Sequence, residues 1–164
     1  MPKPFDPREK IPCRNMKKTL AVLLSSTLLF ATALSAERKA VAPPGANPNS
    51  PFSPGMLIDG VLYVSGTVGT DPKIKDIPDN FEDEVHACMD NLGAVLKAGN
   101  MDFDDVVSVM VYLTDMTLFQ RFNTVYVSYF KKPLPARTSA GVVRLAAAKA
   151  HVEITLIAKK QKKK

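Results

Sequence analysis

Apolar and polar positions alternate along this chain in a way that marks out most of its elements. Leu20–Leu34 is almost wholly apolar, and a stretch rich in Pro, Ala, Asn and Ser follows to Pro54. Met56–Gly60 and Val61–Gly66 read as two strands about a tight Asp59-Gly60 turn. Gly66 and Gly69 interrupt the second strand, which points to a bulge or to a close approach of backbone to a ligand. Thr70–Asp79 is a polar loop. Phe81–Ala98 is the clearest helix: Val85, Cys88, Met89, Leu92, Val95 and Leu96 recur at spacings of three and four. Asp79 or Asn80 caps its start and Gly99 closes its end. Asp102–Asp105 is a turn, and Val106–Thr114 is rich in β-branched residues and reads as a buried strand. Asp115 or Thr117 then caps a second helix, Leu118–Phe130, with Phe119, Phe122, Tyr126, Tyr129 and Phe130 on its apolar face. Pro133 and Pro135 stop it. Two strands follow, about Thr138–Leu145 and His151–Ala158.

The order ββαβαββ predicts an α+β fold: a mixed β-sheet with two helices packed on one face. The other face, carrying Val61, Tyr63, Val107, Val109 and similar residues depending on register, is left without a cover. An apolar face of that size needs one. Self-association supplies it, so an oligomer is expected.

The N-terminal block changes the organisation. Met16–Ala36 has the three parts of a secretory signal: two lysines, an apolar core, and small residues that offer cleavage after Ala36 or after Ala33. The core is shorter than the ~20 residues of a membrane span. Residues 1–15 are therefore expected to be a mis-assigned extension, 37–50 a linker, 51–158 the working domain and 159–164 a lysine tail. The mature product would be periplasmic or secreted, with no stable membrane association. Cys13 would be lost and Cys88 left alone on an apolar helix face, a core residue without a disulfide partner.

The net charge of +6 invites a nucleic-acid reading, but the positive charge lies at the ends. Residues 37–158 hold eleven basic and fourteen acidic residues, a net of −3. No basic face is expected on the domain, and no nucleic-acid partner.

Candidate chemistry concentrates near the C-terminus. Pro133-Leu-Pro-Ala-Arg-Thr-Ser139 reads as a rigid loop delivering Arg137, whose guanidinium can grip a carboxylate with two parallel bonds. His151-Val-Glu-Ile154 is an alternating strand carrying Glu153, which can take a proton or orient a water. The expectation is a strand pair that presents a fixed cation near a fixed carboxylate. His151-Val-Glu153 matches half of a zinc-deaminase signature, but the P-C-x-x-C half is missing and no metal is expected. Asp102, Asp104 and Asp105 lack the glycine and later glutamate of a calcium loop. Ser65 lies outside any nucleophile elbow; at a strand end beside Gly66 it either binds a ligand or satisfies backbone.

Six motifs together resemble the reactive intermediate deaminase family, small trimeric enamine/imine deaminases. They are Leu62-Tyr-Val-Ser-Gly66 with Asp71-Pro72; Asn91-Leu and Ala98-Gly99; Val109–Asp115; Phe122-Asn-Thr-Val-Tyr126; Pro135-Ala-Arg-Thr-Ser139; and Val152-Glu-Ile154. The resemblance covers about residues 50–158. It implies a chorismate-mutase-like fold, a homotrimer with clefts between subunits, and no cofactor. It also implies Arg137 as the grip on a substrate carboxylate and Glu153 as the residue that orients the hydrolytic water. Ser65, Gly66, Asn123 and Ser139 line the cleft on the same basis. Phe52 stands where active members commonly have a tyrosine, Leu145–Ala150 is one residue longer than the usual turn, and Thr155 replaces a glutamate. The implied reaction is hydrolysis of 2-imino or enamine acids to 2-oxo acids and ammonia. The alternative is a non-catalytic trimer of the same fold that binds small carboxylates or acts as a holdase. Ribonuclease activity, assigned to some members, fits poorly with the acidic domain.

Overall fold

The computed structural model describes residues 37–160. The expected signal, the extension before it and the last four residues of the lysine tail lie outside the described residues. Eight elements are numbered here in chain order. They are β1 (Lys39–Val41), β2 (Gly55–Ile58), β3 (Val61–Val68), α1 (Phe81–Ala98), β4 (Val106–Leu113), α2 (Phe119–Tyr126), β5 (Ala136–Gly141) and β6 (Val152–Lys159). The strands form one sheet in the order β1-β2-β3-β6-β4-β5. All neighbours are antiparallel except β4 and β5, which run parallel. The expected mixed sheet with two helices is present. The stretch read as linker contributes an edge strand, Lys39–Val41, which pairs with β2.

Asp59 and Gly60 make the predicted two-residue hairpin, both at positive φ (50° and 73°), as a type I′ turn requires. The core lies between the sheet and the helices. Alternate residues Val109, Val111 and Leu113 of β4 and Val152, Ile154, Leu156 and Ala158 of β6 meet Val85, Cys88, Met89, Leu92 and Leu96 of α1 and Phe122 of α2. Cys88 is fully buried, and its thiol donates to the Thr67 carbonyl at 3.1 Å.

Asn80 is the cap of α1, accepting the Asp83 N–H at 3.0 Å. Gly99 ends the helix by donating to the Val95 and Leu96 carbonyls, but its φ is −84°, and Asn100 takes the left-handed position at 57°. Glycine at 99 spares the buried Leu62 a shift: a Cβ there would lie 2.8 Å from Leu62 Cδ2. The second helix is shorter than predicted. Regular α-helix spans only Phe119–Tyr126, between 3₁₀ turns at Met116–Leu118 and Val127–Tyr129. Ser128 Oγ donates to the Val125 carbonyl at 2.7 Å, a local bond that competes with helix continuation.

Strand β5 starts two residues before its predicted place and stops at Gly141, opposite Leu113, where its neighbour β4 ends. Val143, predicted within it, is 99% exposed. At the C-terminus Lys159 closes β6, and Lys160 Nζ donates to the Asn100 carbonyl at 2.8 Å and to Asp105 at 3.1 Å. These two residues belong to the fold and not to a free tail. Among the described residues no helix is long and apolar enough to cross a membrane.

Candidate active site

Arg137 sits inside β5, not in the loop before it. Its register partner is Val109, and that of Ser139 is Val111. Both valines are buried toward the helices, so Arg137 and Ser139 point to the helix side of the sheet. There the guanidinium carbon lies 5.4 Å from the ring centre of Phe119, 5.6 Å from Phe122 and 4.7 Å from Tyr126. The three rings fall at i, i+3 and i+7 of α2, one stripe of the helix. A cation over an aromatic face gains about 0.5–2 kcal/mol depending on burial, and here three rings surround the one cation. Its hydrogen-bonding capacity is untouched: among the described residues no carboxylate or carbonyl accepts from it.

Three polar atoms of these same two elements are buried without a partner: Asn123 Oδ1, Tyr126 Oη and Ser139 Oγ. Each such orphan costs about 1–3 kcal/mol and calls for an explanation. Burial pushes the Tyr126 phenol up to about 12, with the nearby Arg137 charge opposing it, so the hydroxyl stays protonated near neutrality. A guanidinium with free donors, beside a neutral phenol, an amide and a hydroxyl, has the chemistry of a small-anion grip.

Glu153 occupies the other face. It pairs with Tyr112 and Val68, between the inward residues Val152 and Ile154. A bulge in β3 between Val64 and Thr67 holds Ser65 and Gly66 beside it. A Cβ on Gly66 would lie 2.0 Å from Glu153 Oε1, so only glycine leaves room for the carboxylate in this place. The Glu153 carboxylate itself accepts no hydrogen bond among the described residues. Ser65 turns away from this role: its Oγ donates to the Ser53 carbonyl at 2.7 Å and its N–H to the Pro54 carbonyl at 2.9 Å. It thereby anchors the loop carrying Phe52, which is 58% exposed. Gly69, the other glycine expected near a ligand, instead admits a helix: a Cβ there would lie 2.1 Å from the Glu84 carbonyl oxygen.

The predicted strand pair is corrected. Strand β4 lies between β5 and β6, and Arg137 and Glu153 point to opposite faces. Alternation within each strand was legible, but the parallel return of β5 beside β4 was not. One copy of the chain therefore presents the two groups on separate faces. The face that bears Glu153 also carries the exposed Tyr63, Val107 and Met110, and a groove of about 190 Å³ runs along Tyr63, Ser108, Met110, Thr155 and Ile157. Val109, expected on the open face from sequence, is buried inward because β4 is irregular between Val106 and Ser108. Among the described residues no group of three or more His, Cys, Asp or Glu is placed to hold a metal ion.

Sequence reading placed Phe119, Phe122 and Tyr126 on an apolar stripe but missed that the stripe is the bed of Arg137. It also missed Glu84, a fully buried carboxylate that reads in sequence as one of three acidic residues opening a helix.

The family model for endoribonuclease L-PSP matches residues 42–160. A RutC family protein of Saccharolobus solfataricus is 42% identical over 114 residues, 69% of this chain and 90% of the relative. The 2-iminobutanoate/2-iminopropanoate deaminase of Mus musculus is 38% identical over 109 residues, 66% of this chain and 80% of the relative. Among solved structures, Escherichia coli TdcF with bound serine superposes with a TM-score of 0.68 at 26% identity, over 75% of this chain and 99% of that one. The family model spans the elements that carry Arg137 and Glu153, and the chain belongs to the endoribonuclease L-PSP family, the YjgF/RidA group that contains the reactive intermediate deaminases.

Proposed function

We propose that this protein hydrolyses reactive 2-imino acids, or their enamine tautomers, to 2-oxo acids and ammonia, in clefts between the subunits of a homotrimer. The observation that carries the reading is the pair of incomplete half-sites. An oriented guanidinium with free donors lies on one face, and a carboxylate with free acceptors lies on the face that needs a cover. Packing the open face of one copy against the β5 side of another brings Arg137 and Glu153 to one cleft. The deaminase named in mouse and the serine-bound relative support a small, amino-acid-like ligand that bears a carboxylate.

In that cleft Arg137 holds the substrate carboxylate and fixes the imine carbon, while Ser139, Asn123 and backbone near Gly66 complete the walls. Glu153 accepts a proton from water as the water oxygen bonds to the carbon of the protonated imine, which gives a neutral carbinolamine. It returns that proton to the carbinolamine nitrogen and takes up the hydroxyl proton as the C–N bond breaks, leaving the 2-oxo acid and ammonia. Such imines hydrolyse unaided, so modest barrier lowering suffices; about 1.4 kcal/mol is tenfold. The Met16–Ala36 pattern supports an exported, periplasmic or secreted product.

A second reading, a trimer that binds small carboxylates without turning them over, draws on Phe52, which brings no hydroxyl to the cleft rim. Ammonia release from freshly generated 2-iminopropanoate separates the two. Wild type should exceed the uncatalysed rate and Glu153→Ala should fall back toward it, with 2-oxo acid affinity intact or tighter. Ammonia at the uncatalysed rate with wild type, together with tight 2-oxo acid binding, would favour the second reading.

A further inference from the structure

We propose that Glu84 is the positioning residue for Glu153. The role rests on the deaminase reading and goes beyond it in naming what places the carboxylate. Glu84 lies on α1 and is fully buried. Its Oε1 accepts the N–H groups of His151 at 2.7 Å and Val152 at 3.1 Å, and its Oε2 faces His151 Nδ1 at 2.8 Å. Those are the two residues immediately before Glu153.

The grip is anchored on every side. Gly69 lets the backbone of α1 at Glu84 press against the end of β3. The His151 carbonyl accepts the Thr114 N–H at 3.0 Å, which ties the same residue to the end of β4. Val152 is fully buried in the core. The loop ahead of β6 is long, with four alanines among residues 142–151, and the ion pair between Lys149 and Asp76 tethers it. A loop of that kind sets no register by itself. A one-residue slip in β6 would turn Glu153 inward and bring Val152 or Ile154 to the cleft. The carboxylate of Glu84, reaching from the helix layer to two successive amides, forbids that slip. Glu153 then meets the Gly66 bulge from a fixed start point.

The alternative is that Glu84 satisfies two buried amides and nothing more. It predicts lower stability and unchanged turnover per folded molecule. The two separate in steady-state kinetics on 2-iminopropanoate, run well below the melting temperature on trimers of verified mass. Glu84→Ala should lower kcat about tenfold or more with KM and 2-oxobutanoate affinity little changed, since Arg137 is untouched. Glu84→Gln, which keeps an oxygen for both amides, should recover most of kcat. In a Glu153→Ala background the added Glu84→Ala should lower the melting temperature but not the residual rate, because the effect runs through Glu153. Should Glu84→Ala fail to fold, Glu84→Asp withdraws the carboxylate by one carbon and should show the same kcat loss in smaller measure. Wild-type kcat in folded Glu84→Ala or Glu84→Asp would overturn the positioning role alone. Wild type without turnover would overturn the deaminase reading and this role with it.

Discussion

Replacing Arg137 by lysine removes a fork of parallel donors and also the flat cation that lies on Phe119, Phe122 and Tyr126. A charge-assisted bond of this kind is worth roughly 1.5–3 kcal/mol, so Arg137→Lys should weaken 2-oxobutanoate binding about tenfold to a few hundredfold. Calorimetric titration measures it, with circular dichroism and trimer mass as controls. Equal affinity in two folded trimers would remove Arg137 from the cleft. Gly66 in β3 and Gly69 just beyond it give a sharper contrast at the same scale. Neither has a positive φ, so an alanine is judged by space alone. At Gly66 the obstructing atom is the end of the Glu153 side chain, which can swing away. At Gly69 it is the backbone of α1, which cannot. Gly66→Ala should therefore keep its fold and lose turnover. Gly69→Ala should lose about 3 kcal/mol or more of stability, as expected for a buried backbone clash. Thermal melts and ammonia assays on the pair check both halves of the statement.

Between elements, α1 and α2 are clasped on their outer side by Arg121 and Glu82, with two parallel bonds of 2.7 and 2.6 Å. Arg121 holds the Glu82 carboxyl down to about 2. A carboxyl depressed in the folded state contributes stability that is complete above its ordinary value of 4.5 and is lost as pH falls toward 2. Glu82→Gln should therefore flatten part of the acid limb of stability in that window and leave the neutral and alkaline range alone. Urea titrations at pH 3 and pH 6 measure the difference; an unchanged acid limb would mean that the clasp contributes nothing. The legibility of the chain differs in kind at this scale. Helix α1 was readable to the residue because periodicity, capping residues at 79 and 80 and a closing Gly99 all agree. Helix α2 was overextended because aromatic spacing continues through Tyr129 and Phe130, which stay packed against the core in a 3₁₀ turn and beyond it. Strand β1 was missed because three residues flanked by a proline-rich stretch carry no period. Glu84 could not be found from sequence, since its partners are backbone amides 67 and 68 positions away.

For the whole molecule, the missing information was which strands are neighbours. Arg137 and Glu153 were both legible as chemistry, yet the sheet order sets them on opposite faces of one chain. The uncovered face, with Tyr63, Val107 and Met110 exposed, resolves this if copies pack so that each cleft draws its arginine from one subunit and its glutamate from the next. Complementation in mixed trimers tests that claim most directly. Arg137→Ala and Glu153→Ala should each be nearly inactive alone. Refolded together in equal amounts, random assembly gives about one cleft in four with both wild-type residues, so about a quarter of wild-type ammonia release should return. No recovery in trimers shown by mass to be mixed would contradict the account, since it would mean that both residues serve one reaction from within a single chain, or that they do not serve it at all.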